Sequence, residues 1–151
     1  MRVHIATDHA GFELKNELVA YLNEKGITVA DHGYHEYDRL DAYPPVCIAC
    51  AKAVAADPGS LGIVIGGSGN GEQISANKVA GIRAALVWNE EIAMLAREHN
   101  NANVMSIGAR QHSVEEVKRF VDVFIGTEYD AASRHQSRIE MISDFENQRN
   151  A

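Results

Sequence analysis

A chain of 151 residues can bury one substantial core and is too short for two comfortable ones. Hydrophobic residues at 46% and charged residues at 23% suit a globular fold in water; no apolar run nears membrane length, and the start MRVHIATDHAG is too polar for a signal peptide, so a cytoplasmic setting is expected. The net charge of −7 argues against nucleic acid or an anionic membrane as partner, and any phosphorylated ligand then needs a local basic cluster.

Val3–Thr7 reads as a first strand, with Asp8 to Gly11 as the loop after it. Phe12, Leu14, Leu18, Val19 and Leu22 recur at helical spacing and predict a helix over 12–25, stopped by Gly26. Ile27–Asp31 is a second strand, followed by the polar loop HGYHEYDRLDAY. Pro44 and Pro45 then open a helix to about Ala56, closed by Asp57-Pro58-Gly59. Leu61–Ile65 is a short apolar, β-branched run between glycines and reads as a buried third strand. Gly66, Gly67, Gly69 and Gly71 follow, and helical spacing resumes over 72–79. The remaining elements are a strand over 82–87, a helix over 90–100, a strand over 103–107, a helix over 114–125 and a last helix over about 132–147, the last expected at a subunit interface. Strands alternating with helices along the whole length predict one domain, 1–151. Its fold class is α/β, a three-layer α/β/α sandwich around a Rossmann-like, flavodoxin-like five-stranded parallel sheet. Such sheets bind ligands beyond the carboxyl ends of their strands at a switch point, which sets Asp8 and His9 beside the Gly66–Glu72 loop.

Strand, glycine loop and helix start together make an anion site of unpaired N–H groups. The dinucleotide pattern G-x-G-x-x-G fails here, because its last glycine falls on Glu72 or Ile74. The P-loop pattern fails too: its lysine position is Glu72 and its Ser/Thr position is Gln73, and a carboxylate there repels a triphosphate. A nucleotide- or flavin-binding module of this architecture is the rival reading, without its usual fingerprint. Donors beside a carboxylate suit another task, proton abstraction next to a carbonyl, which needs one base and preorganised N–H groups for the enediolate oxygen. Glu72 would be the base, with Ser68 and the N–H groups of residues 67 to 71 (Gly67, Ser68, Gly69, Asn70 and Gly71) as donors. On the residues alone, a glycine-rich turn capped by an acidic first-turn residue stays equally open.

Other groupings carry weaker signals. Cys47-x-x-Cys50 has redox or metal spacing, but lies in a small-residue apolar stripe where cysteines act as buried apolar residues; two cysteines imply no disulfide framework. His32, His35, Glu36 and Asp38 share one loop and make a rival metal site, against which stands a solvated loop without regular ligand spacing. His99 and Asn100 end a helix, where a basic side chain and a capping Asn have a structural explanation. Arg134 and Arg138 are i and i+4 on the last predicted helix, and with Arg110 they suit a phosphate.

GGSGNGEQISANKVAGIRAA at 66–85 resembles the signature loop of the type B ribose-5-phosphate isomerases, the family that includes galactose-6-phosphate isomerase subunits. TDHAG at 7–11, REHNNANV at 97–104, IGAR at 107–110 and RHQSRI at 134–139 match it in order, so the resemblance covers essentially the whole chain. Many members carry a cysteine base at the position of Gly66. A second branch, similar to actinobacterial enzymes, has glycine there and a glutamate at the position of Glu72, and this chain follows that branch. The resemblance implies sugar hydroxyl and phosphate binding by Asp8 and His9, ring opening by His99, a contact from Asn100 to the reacting oxygens, and ligand contacts from Arg110, Arg134 and Arg138. Tyr43 falls near a family tyrosine, but DAYPPV departs from the commoner D-Y-P, so no role is assigned to it.

The resulting expectation is an aldose–ketose isomerase of phosphorylated pentoses that needs no cofactor and no metal; allose or galactose phosphates are alternative substrates. Helix start and desolvation pull the Glu72 pKa in opposite directions, and the sequence does not decide between them. In a parallel sheet the helix carrying His99 ends at the edge opposite Glu72. If both act on one sugar, His99 must then come from a second subunit, which makes the protein a homodimer with shared active sites. Dimer and tetramer both remain open.

Overall fold

A computed structural model describes all residues, Met1–Ala151. Five strands, β1 (Arg2–Thr7), β2 (Thr28–Asp31), β3 (Leu61–Gly66), β4 (Ala84–Leu86) and β5 (Val104–Gly108), form one parallel sheet. Six helices accompany them: α1 (Phe12–Glu24), α2 (Tyr43–Ala55), α3 (Asn70–Ala76), α4 (Glu90–Asn100), α5 (Val114–Gly126) and α6 (Gln136–Arg149). The spatial order is β2-β1-β3-β5-β4. The expected α/β/α sandwich and the β1–β3 neighbourhood are therefore present, while β5 rather than β4 flanks β3, exchanging the last two strands of the flavodoxin-like order.

Strand alternation builds two cores, one on each sheet face. Val3, Ile5, Ile63, Ile65, Met105 and Ile107 face α1, α4 and α5, meeting Leu18, Leu22, Ala93, Val121 and Phe124. Ala6, Val64 and Val104 face α2 and α3, meeting Cys47, Cys50, Val54 and Ala76. Both cysteines are free and fully buried, and burial pushes the Cys50 thiol up to about 12 and that of Cys47 up as well. They pack as small apolar residues, not as reactive thiolates.

Two boundaries depart from the sequence reading. The third helix starts at Asn70, two residues earlier than its apolar periodicity suggests, because Gly69 takes the left-handed conformation (φ 86°) that lets it begin inside the glycine loop. The last helix starts only at Gln136, so Arg134 lies in the preceding turn and does not share a helix face with Arg138.

The chain beyond β2 stays tied to β1: Thr7 N–H donates to Gly33 O at 2.8 Å, and Tyr34 N–H donates to Thr7 O at 2.9 Å. Lys15, fully buried on α1, anchors this segment with Nζ 2.9 Å from Asp31 Oδ2 and 2.7 Å from Tyr34 O. Removing the ammonium takes from Asp31 its cationic partner, leaving Oδ1 only the bond from Gly33 N–H, and leaves the Tyr34 carbonyl without its donor. Lys15→Ala should therefore cost about 3 kcal/mol, since Asp31 retains some access to water, which thermal unfolding would read as a Tm lowered by roughly 6–12 °C.

Candidate active site

The loop after β3 is held open by its neighbours rather than by its own amides. Ala109 N–H donates to Gly66 O at 2.7 Å, Arg110 N–H to Gly67 O at 3.1 Å, and buried Ser106 Oγ to Gly69 O at 2.7 Å. The β5 end thus consumes the loop carbonyls, while the amides of Gly67, Ser68 and Gly69 donate to no group of the chain. Free donors at a strand end beside a helix start can stabilise an oxyanion.

Glu72 sits in the first turn of α3 and is only 4% exposed. A Cβ built on Gly66 would coincide with its carboxylate. The absence of a side chain at residue 66 is what admits the carboxylate to the end of β3. The Glu72 pKa is raised above its ordinary 4.5, first by desolvation and further by the nearby Asp8 carboxylate, while its own backbone amide opposes the shift. Desolvation therefore prevails over the helix start, and the group becomes a stronger base.

The surrounding elements complete a polar pocket edge. Arg110, from the β5 end, lies over the loop, with Nη1 3.0 Å from where a Gly67 side chain would begin. Asp8 caps the His9–Gly11 turn by accepting from Ala10 N–H at 2.9 Å. His9 donates from its backbone and from its ring Nδ1 to Asp41 Oδ1, both at 2.9 Å. Tyr43, at the start of α2, places its phenol ring against Gly71. Asp8, His9, Gly67, Ser68, Gly69, Asn70, Gly71, Glu72 and Arg110 thus gather at the carboxyl edge of the sheet. Asp41 and Tyr43 join them: the sequence did not mark Asp41, and it noted Tyr43 only as near a family tyrosine, with no role assigned; the Pro-Pro helix start was the further signal, since it fixes where α2 begins.

His99, Asn100, Arg134 and Arg138 lie elsewhere, all exposed. The end of α4 is clamped at the amino edge, where Arg83, just before β4, donates from Nε to Asn100 O at 2.9 Å and from Nη2 to Asn101 O at 2.8 Å. Arg97 adds bonds to Ala102 O and, at 3.0 Å, to Asn101 Oδ1. The helix cap is Asn101, left-handed at φ 43°, one residue beyond the capping Asn expected from the sequence. His99 stacks on His135 with ring centroids 4.2 Å apart, and the charges of His99, Arg134 and Arg138 help hold the His135 pKa down, after desolvation. The second group of residues is therefore one cluster, across the sheet from the first.

The loop offered as a rival metal site does not converge. His32 Nε2 turns to His4 Nδ1 at 2.8 Å, His35 lies 3.7 Å from Asp31, and Glu36 and Asp38 are exposed. The grouping whose possible ligand atoms lie within 4.8 Å of one another is instead Asp8, His9 and Asp41.

A buried carboxylate, free amide donors and a guanidinium at one strand edge are the groups that proton transfer on a small anionic carbonyl compound requires. The sequence model of the ribose/galactose isomerases matches residues 3–142, and the chain belongs to that family. It is 53% identical over 146 residues to ribose-5-phosphate isomerase B of Mycolicibacterium paratuberculosis, covering 97% of this chain and 92% of that one. With the Escherichia coli enzyme of the same name it shares 42% over 149 residues, covering 99% of each. Among solved structures, ribose-5-phosphate isomerase B of Clostridium thermocellum superposes with a TM-score of 0.93 at 36% identity, covering 98% of this chain and 99% of that one. The Mycoplasma genitalium enzyme, solved with bound ribulose-5-phosphate, gives 0.92 at 38% identity, covering 97% and 96%.

The raised Glu72 pKa has a stability consequence. Its native pKa lies above the unfolded value, so its ionised form costs stability; the cost is absent well below pH 4.5 and complete once pH exceeds the native pKa. Glu72→Gln should therefore raise Tm at pH 7.5. The gain should shrink as pH falls toward 4.5, and calorimetry at several pH values measures both.

Proposed function

We propose that this chain interconverts ribose 5-phosphate and ribulose 5-phosphate through an enediolate. The observation that carries the reading is the Glu72 carboxylate, desolvated in the space left by Gly66 and flanked by the free amides of the glycine loop. Glu72 removes the C2 proton of the open-chain aldose. The C–H electron pair forms the C1=C2 double bond while the carbonyl pair moves onto O1, where amide donors meet the developing charge. A proton passes from O2 to O1, and Glu72 returns the carbon-bound proton to C1. The carbonyl itself acidifies the neighbouring C–H, so the chemistry asks for no cofactor or metal. Arg110, Arg134 and Arg138 are assigned to the phosphate, Asp8 and His9 to the sugar hydroxyls and phosphate, and His99 with Asn100 to ring opening and the reacting oxygens.

On this reading the active site is completed by a second copy of the chain. Glu72 lies beyond the carboxyl end of β3, whereas His99 is clamped at the amino edge, and a six-residue strand separates the edges by roughly 17–20 Å. The apolar surface supports the same reading. Met141, Ile142 and Phe145 on α6 are each more than half exposed, and a groove of about 760 Å³ between α6 and the unpaired edge of β4 is lined by Ile82, Leu86, Trp88 and Ile92. An exposed apolar face beside an open strand edge is costly in water and suits a subunit contact. We read the chain as a single domain working in the cytoplasm, because a sugar phosphate is too highly charged to cross a bilayer and must be used where it is made. No helix is long and apolar enough to cross a membrane.

The test is turnover of purified protein against ribose, allose and galactose phosphates, with and without a chelator. Ribose 5-phosphate should give the highest kcat/KM, activity should survive chelation, and Glu72→Gln should lower kcat at least 10³-fold with little change in substrate binding, as removal of the sole base requires. Near-normal turnover in that variant would reduce Glu72 to a helix-start residue.

A further inference from the structure

We infer that Asp41 is the positioning residue of the substrate site, holding His9 with its proton on Nδ1 and leaving Nε2 as the one ring nitrogen available to a ligand. One carboxylate oxygen of Asp41 accepts from both the backbone N–H and the ring Nδ1 of His9, each at 2.9 Å. A carboxylate can only accept, so Nδ1 carries the hydrogen. Nε2 makes no bond within the chain. An unconstrained neutral imidazole prefers the opposite arrangement, with its proton on Nε2, so the contact reverses an intrinsic preference.

Burial shows that the contact is not a passing surface pair. The Asp41 side chain is 7% exposed and that of His9 24%. The other Asp41 oxygen, Oδ2, is buried without any partner. Burying a carboxylate with one oxygen unsatisfied costs stability, and the turn itself is already capped by Asp8. What Asp41 adds is a fixed orientation of the imidazole at the carboxyl edge, beside Asp8, whose carboxylate is near enough to raise the Glu72 pKa. With Nδ1 engaged, Nε2 accepts a hydrogen bond from a sugar hydroxyl when the ring is neutral, or donates to a phosphate oxygen when it is protonated.

The proposal rests on the sugar-phosphate reading for what His9 touches, and not for how Asp41 holds it. Two measurements on the full-length protein separate these parts. Long-range proton–nitrogen correlation NMR, with His9 assigned through His9→Gln, should show His9 protonated at Nδ1 in the parent protein and predominantly at Nε2 in Asp41→Ala. In kinetics, Asp41→Ala should raise the KM for ribose 5-phosphate about tenfold, the size of one disordered hydrogen bond to a ligand, with kcat within about threefold of the parent. Asp41→Asn, which keeps an acceptor for Nδ1–H, should stay within about threefold of the parent in KM and keep the parent tautomer. An unchanged tautomer in Asp41→Ala overturns the proposal. So does an equal loss of kcat and KM in both variants accompanied by a lowered Tm, which marks a purely structural residue. Activity abolished by chelation and restored by a divalent cation would make Asp8, His9 and Asp41 a metal site instead. Should Asp41→Ala fail to fold, Asp41→Ser, too short to reach the ring, takes its place. If the parent protein turns over no ribose 5-phosphate, the functional reading fails, while the tautomer measurement still decides the role of Asp41.

Discussion

The site depends on a mutual exclusion between one side chain and the absence of another. Glu72 can bring its carboxylate to the end of β3 only because Gly66 has no Cβ to occupy that space. Burial there does two things together: it removes water from the carboxylate, which raises its proton affinity, and it sets that group beside a loop whose Gly66, Gly67 and Gly69 carbonyls are already spent on the β5 end. A side chain at position 66 would oblige the Glu72 carboxylate to leave the place it now occupies.

Much of the fold was readable from spacing, because each strand and helix carries a strong local pattern. The alternation of Val3, Ile5, Ile63 and Ile65 with residues of the opposite face marks a sheet covered on both sides, and Leu14, Leu18 and Leu22 mark α1. The order of β4 and β5 was not readable, since local periodicity marks a strand without naming its neighbours. The start of α6 was also missed. Arg134 and Arg138 have helical spacing, but the turn over residues 131–135 precedes the helix, and propensity does not distinguish a turn in αR conformation from a first helical turn.

The candidate site was legible where a motif carried it and silent where tertiary contact did. Glu72 and the glycines stand out because no competing phosphate motif fits them. Asp41 lies unmarked in a polar loop rich in acids, and Tyr43, near a family tyrosine but before two prolines, could be given no role; their meaning comes from what β1 and β3 bring beside them. Arg83 and Arg97 are similar. Each looks like a solvated cation in sequence, yet both bind the carbonyls that end α4 and so fix the position of His99. The Glu72 pKa was undecided between helix start and burial until its depth was known.

Parallel topology imposes the last constraint. Every βα unit returns its helix to the amino edge, so residues at helix ends and residues at strand ends cannot meet within one such chain. The proposed chemistry asks both groups to act on one sugar, which requires a second copy of the chain, most simply one related by a two-fold axis. The direct measurement is complementation: Glu72→Gln and His99→Ala, each inactive alone, are unfolded together, refolded as a mixture and assayed. The account predicts that activity returns to about half of the sites in each mixed dimer, because one site then receives both native residues. Mixed dimers that demonstrably form and remain inactive would contradict it, placing Glu72 and His99 on different tasks or in one chain's own site.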